Sequence, residues 1–131
     1  MIQKTTRQRS NIRKILLYWV PVIFYCGLIV YLSSLSHPGQ NLPSFFSDFS
    51  DKLVHGIEYG ILGILLYRAF QHTTHISQSI AMAIFSATTF GISDELHQWY
   101  VPHRHADIWD VVADASGATL FILIWVFIIK K

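Results

Sequence analysis

The chain alternates long apolar runs with short polar stretches, and the run lengths give the first set of expectations. Met1 to Lys14 is polar and basic, after which Ile15 to Leu35 is almost continuously apolar. About 20 such residues suffice for a helix to cross a bilayer, so this run predicts a first spanning helix, with Pro21 tolerated inside it as a candidate kink. It exceeds the core of a signal peptide, and no small-x-small cleavage site closes it. Ser36 to Ser50 holds Pro38, Gly39 and Pro43, which break helices, and Phe45, Phe46 and Phe49, which suit an interface; it predicts a loop with a short amphipathic turn. A second helix is expected over about 51–70. Its first half carries Asp51, Lys52, His55 and Glu58, and its Gly56-x-x-x-Gly60 spacing admits a close neighbour. A third, over about 76–98, is rich in Ala, Ser, Thr and Gly, as an inner packing helix would be. A turn around Pro102 leads into a fourth, over about 107–129, ending at Lys130 and Lys131. The expectation is an all-α, polytopic membrane four-helix bundle, one domain over 1–131.

Composition agrees: 52% of residues are hydrophobic and 14% charged, which argues against a soluble domain. The net charge of +2 hides a separation that the predicted helices expose. Lys4, Arg7, Arg9, Arg13, Lys14, Arg68, Lys130 and Lys131 fall at one set of helix ends. All eight acids, with Lys52 and Arg104, fall at the other. Basic flanks face the cytoplasm, so both termini are expected there, and the acidic ends on the extracytoplasmic side. Cys26 is alone, so it makes no intramolecular disulfide. No nucleic-acid patch, phosphate loop or catalytic Ser-His-Asp order is present.

Helical spacing then shows which polar groups can meet. Asp51, His55 and Glu58 form one stripe, with Glu58 roughly 10 Å below Asp51; Asp107, Asp110, Asp114 and Gly117 form another. Asp94, Glu95 and Gln98 share one arc of the third helix, with His97 to one side. A lone charge at the centre of a spanning helix costs ~2.5–3.5 kcal/mol, so Glu58 and Asp114 should turn inward to partners. Arg104 is the expected cation for two carboxylates. One Arg and one Lys cannot balance eight acids, so some carboxyls hold protons or a cation resides among them. His55 and Glu58, three residues apart on a helix, could ligate a divalent cation or form an ordinary His-carboxylate hydrogen bond. Asp51 and Asp107 could each be a helix N-cap. His103 and His105 are expected in solvent, His37, His72 and His75 in loops, and Trp99, Tyr100 and Trp109 in an interfacial aromatic belt.

The set Asp51-Lys52-x-x-His55-x-x-x-Tyr59-x-x-x-Gly63, Ser93-Asp94-Glu95-x-x-Gln98, Pro102-x-Arg104-x-x-Asp107-x-x-Asp110 and Gly117 resembles the signature of the VanZ-like family, and Ser33-Ser34 also fits. Asp114 stands where that family often has Asn, and Phe121 where a small residue is common, which argues against close packing low on the fourth helix. The resemblance implies a small bacterial membrane protein of the cell envelope, the founding member being associated with resistance to the glycopeptide teicoplanin. Carried over residue by residue, it makes Asp51, Lys52, His55, Tyr59, Asp94, Glu95, Gln98, Arg104, Asp107 and Asp110 the motif positions. The residues together suggest a pocket for a lipid-linked or headgroup ligand. Enzyme and binding module both remain open. Catalysis would use Asp94 and Glu95 as acid and base and Arg104 as an anion clamp, with Asp110 beside them; Asp51, Lys52, His55, Glu58, Tyr59, Gln98, Asp107 and Asp114 would hold the ligand. A cation or proton pathway is the third option, disfavoured because no polar trail reaches the basic end.

Overall fold

The computed structural model describes residues 2–35, 44–73 and 78–129, with the side chains of 11–35, 50–73 and 78–129. Residues 36–43 of the expected loop over 36–50, residues 74–77 with His75, Lys130 and Lys131, and the side chains of Lys4, Arg7, Arg9, Phe45, Phe46 and Phe49 lie outside what is described. Four helices follow in order: α1 Ile2–Ser33, α2 Ser44–Thr73, α3 Ser79–Gln98 and α4 Ile108–Ile129. No strand occurs among the described residues.

Two helices are longer than their apolar runs. α1 starts in the basic segment, because Gln, Lys and Arg are good helix formers and the run before Ile15 contains neither Pro nor Gly. It also continues through Pro21, whose missing N–H removes only one helix bond. α2 starts at Ser44, just past Pro43, so the expected interfacial turn is part of a helix and Asp51 lies well inside it rather than capping it.

Three segments are long and apolar enough to cross a membrane: Asn11–Ser33, Ser50–Thr73 and Ile108–Ile129. The 20 residues of α3 are not among them, since its small and acidic residues lower its hydropathy. Side chains such as Phe24, Phe85, Phe127 and Ile128 point outward, as they do on a surface facing lipid.

α2 is the hub. It packs on all three other helices and most extensively on α4, whereas α1 touches α3 only marginally. The α2–α4 contact is built on absent side chains: a Cβ on Gly117 would overlap the Gly56 carbonyl, and one on Gly63 would lie 3.0 Å from Ala118 Cα. Phe121 also packs closely, contrary to the expectation from its size, because its ring occupies the space a Cβ on Gly60 would fill. The core around this seam contains Val22, Ile29, Tyr59, Leu62, Leu66, Ala83, Ala87, Ala118 and Ile122. Small residues let the backbones approach where hydrophobic driving force between helices is absent. Gly117→Ala is therefore expected to lower the thermal unfolding midpoint in detergent, at a cost of about 1–3 kcal/mol, whereas Gly27→Ala, with nothing within 4 Å of its Cβ, should unfold like the parent.

Candidate functional site

The seam that brings Gly56 against Gly117 also sets their neighbours face to face. His55 Nδ1 lies 3.0 Å from Asp114 Oδ1, and both side chains are buried, Asp114 completely. Asp114 also reaches α3, where its Oδ2 would lie 2.6 Å from a Cβ on Gly91. Three helices thus meet at one carboxylate. Tyr59, one turn further along α2 and fully buried, lies parallel to the His55 ring with centroids 6.3 Å apart.

Toward the polar end, Lys52 Nζ bridges Asp107 Oδ2 at 3.0 Å and Asp110 Oδ1 at 3.2 Å. Asp107 does cap α4: its Oδ1 accepts the Trp109 N–H at 2.9 Å, as a cap oxygen meets the second helical residue. Its own N–H donates to Glu95 Oε2 at 2.8 Å, tying the start of α4 to α3. These bonds from the Trp109 N–H and the Lys52 ammonium hold the Asp107 carboxyl below the usual aspartate range. The turn before it passes through His103 at φ 65°, a left-handed conformation in which His is enriched among residues with side chains.

Arg104 does not clamp two carboxylates. Its Nε and a terminal nitrogen both donate to Gln98 Oε1, at 3.1 and 2.6 Å, and Gln98 Nε2 donates to Asp94 Oδ2 at 3.1 Å. The amide relays between guanidinium and carboxylate, an arrangement that i, i+4 spacing on α3 allows and that a count of charges alone cannot reveal.

A cavity of about 200 Å³ opens between α1, α2 and α3, lined by Ser33, Asp51, His55, Glu58, Asp94, Gln98 and Arg104, with Leu32 and Val54 as apolar walls. Asp94 is 4% exposed, yet its Oδ1 has no hydrogen-bond partner among the described residues; nor does Ser33 Oγ. Arg104 also borders a second hollow, of about 500 Å³, with Trp99, His105 and Ala106. The guanidinium therefore separates an inner chamber from an outer vestibule.

The expected residues consequently fall into two adjoining groups. Asp51, His55, Glu58, Asp94, Gln98 and Arg104 line the cavity, while Lys52, Glu95, Asp107 and Asp110 form the seam between α4 and its neighbours, and His55 with Asp114 joins the two. For a metal, Asp51, His55 and Asp110 offer ligand atoms within 4.8 Å of one another; Glu58 is outside that trio. Sequence reasoning missed the contribution of α1 to the cavity wall and the bond between Ser34 Oγ and His97 Nε2 at 3.0 Å, which fastens the end of α1 to α3. The serines stand in the segment that resembles a family signature, but nothing in a lone Ser pair indicates which helix it will meet. Trp99, Tyr100 and Trp109 are exposed at this end of the bundle, as a belt requires.

The VanZ/LLP1 family model matches residues 2–129. The chain belongs to the VanZ/LLP1 family. It is a membrane protein by that match and by its apolar helices. No curated protein and no solved structure matches it.

Removing one partner of a buried pair leaves the other uncompensated, at a cost of about 3–5 kcal/mol. A double-mutant cycle of His55→Ala and Asp114→Ala, read by unfolding in detergent, should give a coupling energy above about 1 kcal/mol. The Lys52 and Asp107 side chains are 36% and 38% exposed, so their pair contributes at most about 1 kcal/mol. Asn retains the cap, so Asp107→Asn isolates the charge. Because the Asp107 pKa is lowered in the folded protein, its stabilisation is present at neutral pH and lost on acidification. The deficit of Asp107→Asn against the parent should close as pH falls below about 4.

Proposed function

We propose that the cavity holds the polar headgroup of a lipid-linked envelope precursor, and that the protein acts at the extracytoplasmic leaflet of the bacterial cytoplasmic membrane, with several membrane passes and both termini inside. The observation that carries this reading is the orphaned Oδ1 of Asp94, buried in the cavity wall beside Ser33 Oγ. A buried carboxylate oxygen without a donor is costly, and a ligand supplying hydroxyl or amino hydrogens relieves that cost. Asp51, Glu58 and Asp94 offer acceptors for such donors, and Arg104, at the boundary with the outer vestibule, suits a phosphate or pyrophosphate entering from the interface. The walls of Leu32 and Val54 fit the first carbons of a lipid chain.

On this reading the protein alters the availability of a precursor and so affects glycopeptide, including teicoplanin, susceptibility. Binding is favoured over catalysis as its minimal activity, because Glu95 and Asp110 are engaged by the Asp107 N–H and the Lys52 ammonium outside the cavity wall. If a reaction occurs, Asp94 is the group placed to exchange a proton with bound ligand and Arg104 the group to meet its anion. A second reading assigns a divalent cation to Asp51, His55 and Asp110, supported by the mutual reach of their ligand atoms and by Asp114, which holds the His55 ring from behind. Such a cation would replace Lys52 as the counter-charge of Asp110.

Native mass spectrometry of the protein extracted with its lipids tests both. A headgroup lipid retained by the parent and lost from Asp94→Asn and Glu58→Gln, together with a change in teicoplanin susceptibility, is the expected result. Divalent metal lost from Asp51→Asn and Asp110→Asn would instead support the cation. Retention of neither sinks both readings.

A further inference from the structure

At the opposite end of the bundle Arg68 sits 16 residues beyond Lys52 on α2, about 24 Å along the helix. Its guanidinium lies over two rings from different helices, 5.8 Å from the Tyr18 centroid on α1 and 5.9 Å from the Trp125 centroid on α4. His72 also stacks on the Tyr18 ring, with centroids 4.1 Å apart at 9°. Arg68 is itself exposed. Beside it is a cavity of about 160 Å³ lined by Leu17, Tyr18, Pro21, Leu65 and Arg68.

We infer that this cavity is a specific site for an anionic phospholipid bearing a hydroxylated headgroup, of the phosphatidylglycerol kind, in the leaflet opposite the polar pocket. Three features select that ligand. The aromatic contacts fix the guanidinium before any ligand arrives, so little side-chain freedom is lost when its planar fork meets a phosphodiester. Leu17, Pro21 and Leu65 continue the cavity as an apolar wall against which the glycerol backbone and first methylenes can lie. Pro21, having no N–H, leaves the Leu17 carbonyl without its helix partner four residues on, and a headgroup hydroxyl can donate there. Arg13 and Lys14, exposed one turn before Leu17 and Tyr18, add positive charge to the approach. A zwitterionic phosphatidylcholine offers the phosphodiester but no net negative charge to the basic surroundings and no headgroup hydroxyl to the carbonyl.

The test exchanges the detergent-solubilised full chain into mixed micelles containing equal amounts of phosphatidylglycerol and phosphatidylcholine and counts retained lipids by native mass spectrometry. The parent should retain phosphatidylglycerol preferentially. Arg68→Gln should weaken that retention roughly five-fold, the effect of one cation at a membrane surface. Arg68 also braces three helices, so a second variant, Leu65→Trp, fills the cavity and leaves the guanidinium in place; it should expel the lipid as well, with helicity by circular dichroism unchanged. Pro21→Ala restores the N–H to the Leu17 carbonyl and should reduce the preference for phosphatidylglycerol. Equal retention of the two lipids by the parent, or undiminished phosphatidylglycerol on a folded Leu65→Trp variant, overturns the assignment. Neither outcome bears on the pocket at the other end.

Discussion

The costliest objects in this bundle are its dehydrated carboxylates, and the helix contacts are arranged so that the deepest of them is met from three sides. Asp114 is fully buried, it is bonded by His55 from α2, and it rests against the backbone of α3 at Gly91. No single helix could provide this, because the neighbours of Asp114 one turn away on α4 are the like-charged Asp110 and the apolar or small Val111, Gly117 and Ala118, none of which has a side-chain donor for a carboxylate. The pair forms only because Gly56 and Gly117 let α2 and α4 approach to backbone contact one turn away. The small-residue seam and the buried His55–Asp114 pair are therefore one device. The seam supplies proximity, and the pair makes any other register of α4 along α2 unfavourable by stranding a charge.

Charge neutralisation grades with depth. At the polar end Lys52 serves two acids, the partly exposed Asp107, where water shares the cost and the pairing contributes little, and the buried Asp110. Lower down His55 serves one acid, with both side chains buried. On the α1 side Arg104 reaches an acid only through the Gln98 amide, leaving one oxygen of Asp94 unanswered. Unanswered polar atoms of Asp94 and Ser33 thus lie in the cavity wall, where α1 meets α3 only marginally, while Glu95 Oε1 and Asp114 Oδ2 are likewise without a partner among the described residues. The loosest helix interface of the bundle, α1 against α3, coincides with the cavity that this Asp94 carboxylate lines.

Much of this was legible in the sequence. Runs of apolar residues near bilayer length gave the helices, and i, i+3, i+4 spacing put Asp51, His55 and Glu58 on one face, because both signals depend only on helix geometry. The beginnings of α1 and α2 were not legible: polar residues with good helix propensity continue a helix past the edge of the apolar run, and hydropathy is silent there. Pairing across helices was legible only as a need. Charge counting established that Arg104 required an acceptor, but an amide oxygen on the preceding helix can accept from a guanidinium too, and spacing within α3 and the turn cannot choose between it and a carboxylate. Phe121 illustrates the same limit. Its bulk suggested a gap, whereas a glycine on another helix receives it.

The two ends of the molecule treat their charges in opposite ways. At one, acids outnumber bases and are drawn inward between helices; at the other, Arg68 is turned outward and held on aromatic faces. An arginine carries its charge at the end of a long apolar stem and is weakly hydrated, so it can reach an interface from within a spanning helix, whereas aspartate is too short to do so and must find partners inside. The asymmetry follows from side-chain length as much as from the sign of the charge. It is why acidic groups near the boundary of a bilayer create an internal chamber, while a basic group at the same depth creates a contact with lipid.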